Sequence, residues 1–311
     1  MRNYFYILFV VFTCCNQVSE KETAKQFVVV LGVAQDAGYP QLGCTKECCK
    51  AVSEGKETKK HVVSLALLDA TKNEYFLFEA TPDITSQLSL LQKQYHLQSI
   101  QPTAVFLTHA HIGHYTGLMY FGREAMNSSS VPVYTLPRLD SFLRNNGPWN
   151  QLVSVKNIEL QQMKKDSSVQ LSSNIKVTAL QVPHRDEFSE TAGFIIQTQN
   201  KKLLFIPDID KWQKWGKSIV DLIHGVDYAL LDATFYKDGE LPNRNMSEVP
   251  HPFVQESMEL FKGMSAADKQ KVYFIHFNHT NPLLKTNGSA AKEVKQKGFN
   301  IAEEGMILNM E

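Results

Sequence analysis

Thr108-His109-Ala110-His111-Ile112-Gly113-His114 gathers three of the chain's ten histidines within six residues, directly behind the apolar run Val105-Phe106-Leu107. Imidazole is the commonest ligand for ions such as zinc, manganese and iron, and two histidines one residue apart at a strand end can reach a single ion. A solvated polar turn could carry the same residues, but the apolar run anchors these beside a core. The segment therefore predicts a metal site at the end of a buried strand.

Outward from this segment, short apolar runs alternate with amphipathic ones, which predicts an α/β fold. Strand-like runs occupy 27–31, 62–68, 75–78, 104–107, 175–182, 193–198, 203–206, 228–231 and 272–277. Helix-like runs occupy 84–95, 253–262 and 290–297; the first carries Ile84, Leu88 and Leu91 at helical spacing, with Asp83 placed to cap it. His109, Asp208, Asp232 and His276 each fall at or just beyond a strand end, where side chains converge on one rim of a sheet.

With 311 residues and 43% hydrophobic content the chain can bury a substantial core. Lysine plus arginine and aspartate plus glutamate both total 32. No basic excess is available for nucleic acid, so a small-molecule substrate is favoured. No repeat, low-complexity segment or linker interrupts residues 27–311, which read as one domain.

Residues 1–22 read as an export signal: Arg2, an apolar run over 4–12 too short for a membrane span, then Cys14 and Cys15. Cysteines in that place resemble a bacterial lipoprotein signal, with either thiol as the acylation site; the alternative is an ordinary signal peptide whose cysteines are discarded. Both predict an exported protein in the periplasm or cell envelope, touching membrane only through a lipid anchor. The remaining thiols, Cys44, Cys48 and Cys49, are an odd cluster within six residues. A metal suits them better than a disulfide framework.

In this order the residues resemble the metallo-β-lactamase superfamily, whose signature HxHxDH follows a strand and opens a helix. Its third histidine matches His184 in Val182-Pro183-His184. Its metal-bridging aspartate matches Asp208, which directly follows the strand-like run, ahead of Asp210; its last histidine matches His276. Asp232, in Leu231-Asp232-Ala233-Thr234-Phe235, resembles an acidic position of the ribonuclease Z branch that orients a ligating histidine. The resemblance implies a four-layer αβ/βα sandwich. It also implies one ion held by His109, His111 and His184 and a second by His114 and His276, with Asp208 between them. Asp208, His114 and Asp232 would be catalytic. Zinc is the implied ion, with manganese or iron as alternatives at the histidines.

One position departs from the signature: Gly113 stands where the second aspartate belongs. Three outcomes follow: a single ion, a second ion held weakly, or another carboxylate in its place. Asp36, in Gln35-Asp36-Ala37-Gly38, is the candidate substitute; the alternative is a turn-forming aspartate.

Within the superfamily, the stretch from Leu31 to Cys44, the segment Glu79-Ala80-Thr81-Pro82-Asp83 and the segment Asn278-His279-Thr280-Asn281-Pro282 look most like the pyrroloquinoline-quinone biosynthesis protein B group. That group generally has a degenerate histidine motif, whereas this chain keeps its histidines. The related phosphonate-pathway cyclic phosphodiesterases carry a structural zinc on three cysteines and a histidine three residues after the last catalytic one. Here those residues would be Cys44, Cys48, Cys49 and His279, although CxxxCC differs from the relatives' CxCxxC.

The function implied is hydrolysis of a phosphodiester or cyclic ester by a metal-bound hydroxide. Tyr115, His251 and Arg185 are candidate substrate contacts or structural residues. The rivals are an iron-dependent oxidation in quinone-cofactor synthesis and a degenerate, non-catalytic binding protein.

Overall fold

The computed structural model describes Met1, residues 25–242 and residues 244–311. The export signal read over 1–22, with Cys14 and Cys15, lies outside the described residues apart from Met1. Among the described residues no helix is long and apolar enough to cross a membrane.

Two seven-stranded sheets form the centre. The first contains β1 (Gln26–Gly32), β2 (Ser64–Asp69), β3 (Glu74–Phe78), β4 (Ala104–Phe106), β5 (Val131–Thr135) and β6 (Ile158–Gln162) in chain order. The second runs β7 (Ser168–Ser172), β8 (Ile175–Val182), β9 (Thr191–Gln197), β10 (Lys202–Ile206), β11 (Tyr228–Asp232), β12 (Val272–Ile275) and β13 (Asn300–Ile301). A last strand, β14 (Ile307–Asn309), returns to pair with β1, Phe27 opposite Asn309, and completes the first sheet.

Alternation along each strand explains the layering. In β1, Val28 and Val30 face the second sheet, whereas Phe27, Val29 and Leu31 pack outward with Ile84, Leu88, Leu91, Leu139 and Leu143 of the helices Ile84–Tyr95 and Pro137–Asn145. Helices Ile219–His224, Val254–Leu260 and Ser289–Gln296 cover the far face of the second sheet through Ile223, Val254, Met258 and Val294. The result is helix, sheet, sheet, helix, the four-layer αβ/βα sandwich. Strands buried on both faces read as continuous apolar runs, and every residue of β1 and β2 is buried.

What positions the site is strand direction. β10, β11 and β12 are parallel, as are β3 and β4, so their carboxyl ends meet at one edge of the sandwich. The chain leaving β1 joins them. Gly32 permits this, because a Cβ there would lie 1.9 Å from the Val62 carbonyl oxygen. Beyond it, Phe277 N donates to Val33 O at 2.8 Å and Gln35 N to Phe277 O at 2.9 Å. Asp83 begins its helix as expected, but its side chain does not cap it; Asp83 Oδ2 accepts from Val62 N instead, at 3.0 Å.

Candidate metal centre

Asp208, two residues beyond β10, is the hub of the rim. Its Oδ2 lies 3.2 Å from His184 Nε2, 3.4 Å from His109 Nε2, and 3.9 Å from both His111 Nδ1 and His114 Nε2. Donor atoms of His109, His111, His184 and Asp208 all lie within 4.8 Å of one another; so do those of Asp36, His114 and His276. Four ligands about 2.0–2.1 Å from a tetrahedral ion stand about 3.3 Å apart, so these spacings fit an ion. His184 Nε2, His114 Nε2, His276 Nε2 and Asp208 Oδ1 are buried without a hydrogen-bond partner, the signature of donors aimed at a common ligand.

Neighbouring residues fix the rings. Thr108 Oγ1 is 2.8 Å from His109 Nδ1, and Thr234 Oγ1 is 2.8 Å from His276 Nδ1, which leaves both Nε2 atoms facing inward. Glu79, just beyond β3, places Oε1 3.2 Å from His114 Nδ1. Glu79 and His276 both adopt left-handed backbone, φ 76° and 69°, a conformation that costs roughly 1–3 kcal/mol and clusters at functional sites. Asp232 does not touch His276 closely, at 4.0 Å from Nδ1; it acts through Thr234, whose hydroxyl donates to Asp232 Oδ1 at 2.7 Å. The direct partner of Asp232 is His251, whose Nδ1 is 2.9 Å from Asp232 Oδ2 and 3.1 Å from Asp208 Oδ1.

Burial, reinforced by the charge of His114, holds His109 well below the usual imidazole range. Burial likewise pulls His276 down to about 4. Neutral rings have lone pairs to share with an ion. Burial would lower His114 and His251 as well, but the charges of Glu79 and Asp36 lift His114 well above its ordinary value, and those of Asp232 and Asp208 lift His251 to about 10. Burial would raise Asp208, yet the adjacent His184 and His251 hold it well below the carboxylate range. The pocket thus favours positive charge, which a cation can supply.

The site opens at His111, whose side chain is 12% exposed. Arg185 Nη2 and Glu187 Oε2 lie 3.4 and 3.1 Å from His111 Nε2, on side chains about half exposed. Tyr115 is elsewhere: it is buried against Trp149 and Phe142, at 4.8 and 5.6 Å between ring centroids, and is a core residue. Asp210 turns away to Lys214, 2.7 Å distant.

A second cluster joins Cys44, Cys48, Cys49 and His279 within 4.8 Å. The cysteines form no disulfide. Sulfur separations of 3.9 and 4.0 Å approach the roughly 3.8 Å expected of thiolates about 2.3 Å from one tetrahedral zinc, and His279 Nδ1 is buried without a partner.

Sequence reasoning missed Glu79 and undervalued His251. An acidic residue closing the apolar run 75–78 was the available signal for the first; His251, seventeen residues from Thr234 with an intervening loop, offered none.

Comparison with known proteins identifies the family and the fold. A family model described as a beta-lactamase superfamily domain matches residues 74–277. "Coenzyme PQQ synthesis protein B" of Pseudomonas putida is 25% identical, covering 91% of this chain and 100% of its own. The crystal structure of Zn(2+)-bound PqqB from Methylobacterium extorquens superposes with a TM-score of 0.77 at 20% identity, over 91% of this chain and 99% of that one. A diphosphatase from the PhnP family gives a TM-score of 0.62 at 17% identity, over 91% and 96%.

Proposed function

Because this chain belongs to the metallo-β-lactamase superfamily, we propose that it is a metal-dependent hydrolase acting on a phosphodiester or cyclic ester. The carrying observation is the convergence of four histidine nitrogens on Asp208 Oδ2 at one strand-end rim. His109 Nε2, His111 Nδ1, His184 Nε2 and Asp208 would hold the first ion. His114 Nε2 and His276 Nε2 would hold a second, sharing Asp208. A bound divalent ion lowers the pKa of water from about 15.7 toward 7 and polarises a phosphoryl oxygen.

The chain's own residues supply the rest. Asp208, ionised and shared between both positions, orients what binds between them. His251 stands beside both, its ring centroid 5.4 Å from that of His184 and 6.2 Å from that of His276. The Asp232 carboxylate occupies its Nδ1, so its Nε2 is the atom that can hand a proton to a leaving oxygen. Arg185 at the mouth suits an anionic phosphoryl group. Ile112 and Phe188, each 59% exposed beside the site's own loops, suit an organic ester substituent. The diphosphatase of similar fold supports the phosphoryl choice. With balanced charge overall, the substrate is a small molecule. The apolar run over 4–12 ahead of Cys14 and Cys15, read as an export leader, supports the reading that the protein acts in the cell envelope.

The cysteine cluster with His279 is assigned as a structural zinc site: four protein donors close the coordination shell and staple the loop after β1 to the turn after His276.

Metal analysis of the mature protein with a screen over bis-aryl phosphates, lactones and β-lactams tests this reading. Zinc or manganese at the histidines with diester turnover is expected. A second reading, a step in quinone-cofactor synthesis, is favoured by the name of the Pseudomonas putida relative; iron at the histidines without ester hydrolysis would select it.

A further inference from the structure

The motif position that should supply the second ion's carboxylate is Gly113, and the structure shows what occupies that space. A Cβ on Gly113 would stand 2.4 Å from Asp36 Oδ1, 2.6 Å from Asp36 Cα and 3.2 Å from its Cβ. Any side chain at 113 would therefore collide with Asp36, backbone included. Asp36 Oδ1 lies 3.2 Å from His114 Nε2, close to the ligand-to-ligand spacing of about 3.3 Å around a tetrahedral ion. Both atoms are buried and neither completes a hydrogen bond, an arrangement that suits two ligands of a common ion.

We propose that Asp36 is the carboxylate ligand of the second ion, delivered by the loop after β1 instead of by the histidine motif, and that Gly113 is the vacated position that admits it. The inference rests on the reading above for its premise that an ion lies between His114 and His276.

The loop is built to hold this carboxylate. Gln35 Nε2 donates to Asp36 Oδ2 at 3.2 Å, while Gln35 Oε1 accepts from Asn278 Nδ2 at 3.0 Å. Gln35 N donates to Phe277 O, so Asp36 is tied to the two residues that follow His276. A turn-forming role does not account for the side chain. The turn is closed by its backbone, Gly38 N to Gln35 O at 2.7 Å, and among the described residues Asp36 makes no side-chain hydrogen bond to a backbone amide. Moving the carboxylate between segments keeps the count at two, Asp36 and Asp208, and so preserves the charge that a two-ion site requires.

Asp36→Asn separates the two roles, because asparagine forms turns as well as aspartate does but loses the anionic ligand. Zinc content is measured after dialysis, and zinc affinity by calorimetric titration of stripped protein, with circular dichroism to verify folding. The expected result is one fewer ion per chain than wild type, or a weaker position whose Kd rises at least about tenfold. Gly113→Ala deletes no donor yet should lose the same ion by displacing Asp36, and it serves as the second arm if Asp36→Asn folds poorly. Wild-type stoichiometry and affinity in either folded variant overturns the proposal. His276→Ala distinguishes the two levels: if it loses an ion and Asp36→Asn does not, Asp36 alone is misassigned. If His276→Ala also keeps every ion, the two-ion reading falls and this proposal with it.

Discussion

Thr234→Val is the sharpest probe of how the rim prepares its ligands. Thr234 is completely buried, and its hydroxyl has one proton, which it donates to Asp232 Oδ1 at 2.7 Å. Toward His276 Nδ1, at 2.8 Å, the oxygen can then only accept. That places the ring proton on Nδ1 and the lone pair of Nε2 inward. Valine keeps the volume and removes the acceptor. Asp232 Oδ1 retains the Thr234 backbone donor at 2.8 Å, so the main loss is the orphaned His276 N–H. An unsatisfied buried polar group costs about 1–3 kcal/mol, the expected destabilisation of the metal-free protein. Loss of an orienting partner weakens a metal site by roughly 10–100-fold, equivalent to about 1.4–2.7 kcal/mol. Chelator-competition titration reads the affinity and calorimetry reads the stability; Thr234→Ser should restore both. Zinc affinities at both positions within about twofold of wild type would refute the orienting role, whatever happens to stability.

His111→Ala and His184→Ala should each lower diester turnover at least about 100-fold and reduce bound metal, because each removes a ligand of the first position; unchanged metal content in both would show the assignment to be wrong. Cys44→Ser should lose one zinc and lower Tm by at least about 5 °C while the histidine-bound metal stays, as elemental analysis and a thermal melt would show. Asp69 tests the scaffold away from both clusters. Burial would raise its carboxyl, but donors from Thr71 and Gln26 outweigh burial and hold it below its ordinary value. A depressed folded pKa contributes stability that is present above the unfolded value of about 3.9 and is lost as pH falls through the folded one. Asp69→Asn should therefore cost about 1–2 kcal/mol at pH 7, with the gap to wild type closing below about pH 4 in denaturant titrations. A gap that stays constant down to pH 2 would contradict this.

Much of the architecture was legible because both faces of the central strands are buried. Runs such as 27–31, 203–206 and 228–231 stand out as unbroken apolar stretches, and the observed strands differ from them by a residue or two. The edge strands β6 and β7 were not legible. They are half exposed and rich in glutamine and serine; each alternates, but with only two apolar residues, Ile158 and Leu160 or Val169 and Leu171, too few to stand out as a strand. Helix Pro137–Asn145 was missed because it is short and polar overall, burying only Leu139, Asp140 and Leu143 on its inner face.

The same division holds for the site. His109, His111 and His114 could be read as a metal motif because they are neighbours in the chain, and Asp208 and His276 as rim residues because each follows a strand-like run; His184, and the ligand roles of all three, came from the resemblance to the superfamily. Cys44, Cys48 and Cys49 stand out as a cluster, and His279 joins them through the resemblance to the cyclic phosphodiesterases, whose CxCxxC spacing this chain does not keep. Only the tertiary structure decided what fills the place left by Gly113, what holds His114 from behind, and which partner Asp232 clamps. Asp36, Glu79 and His251 come from loops after β1, β3 and β11, and no local pattern records that their side chains meet. Their proximity is a product of parallel strand ends and of one close backbone passage at Gly32. The order of residues therefore specified which atoms could bind an ion, and the packing of the two sheets specified which carboxylates stand beside them.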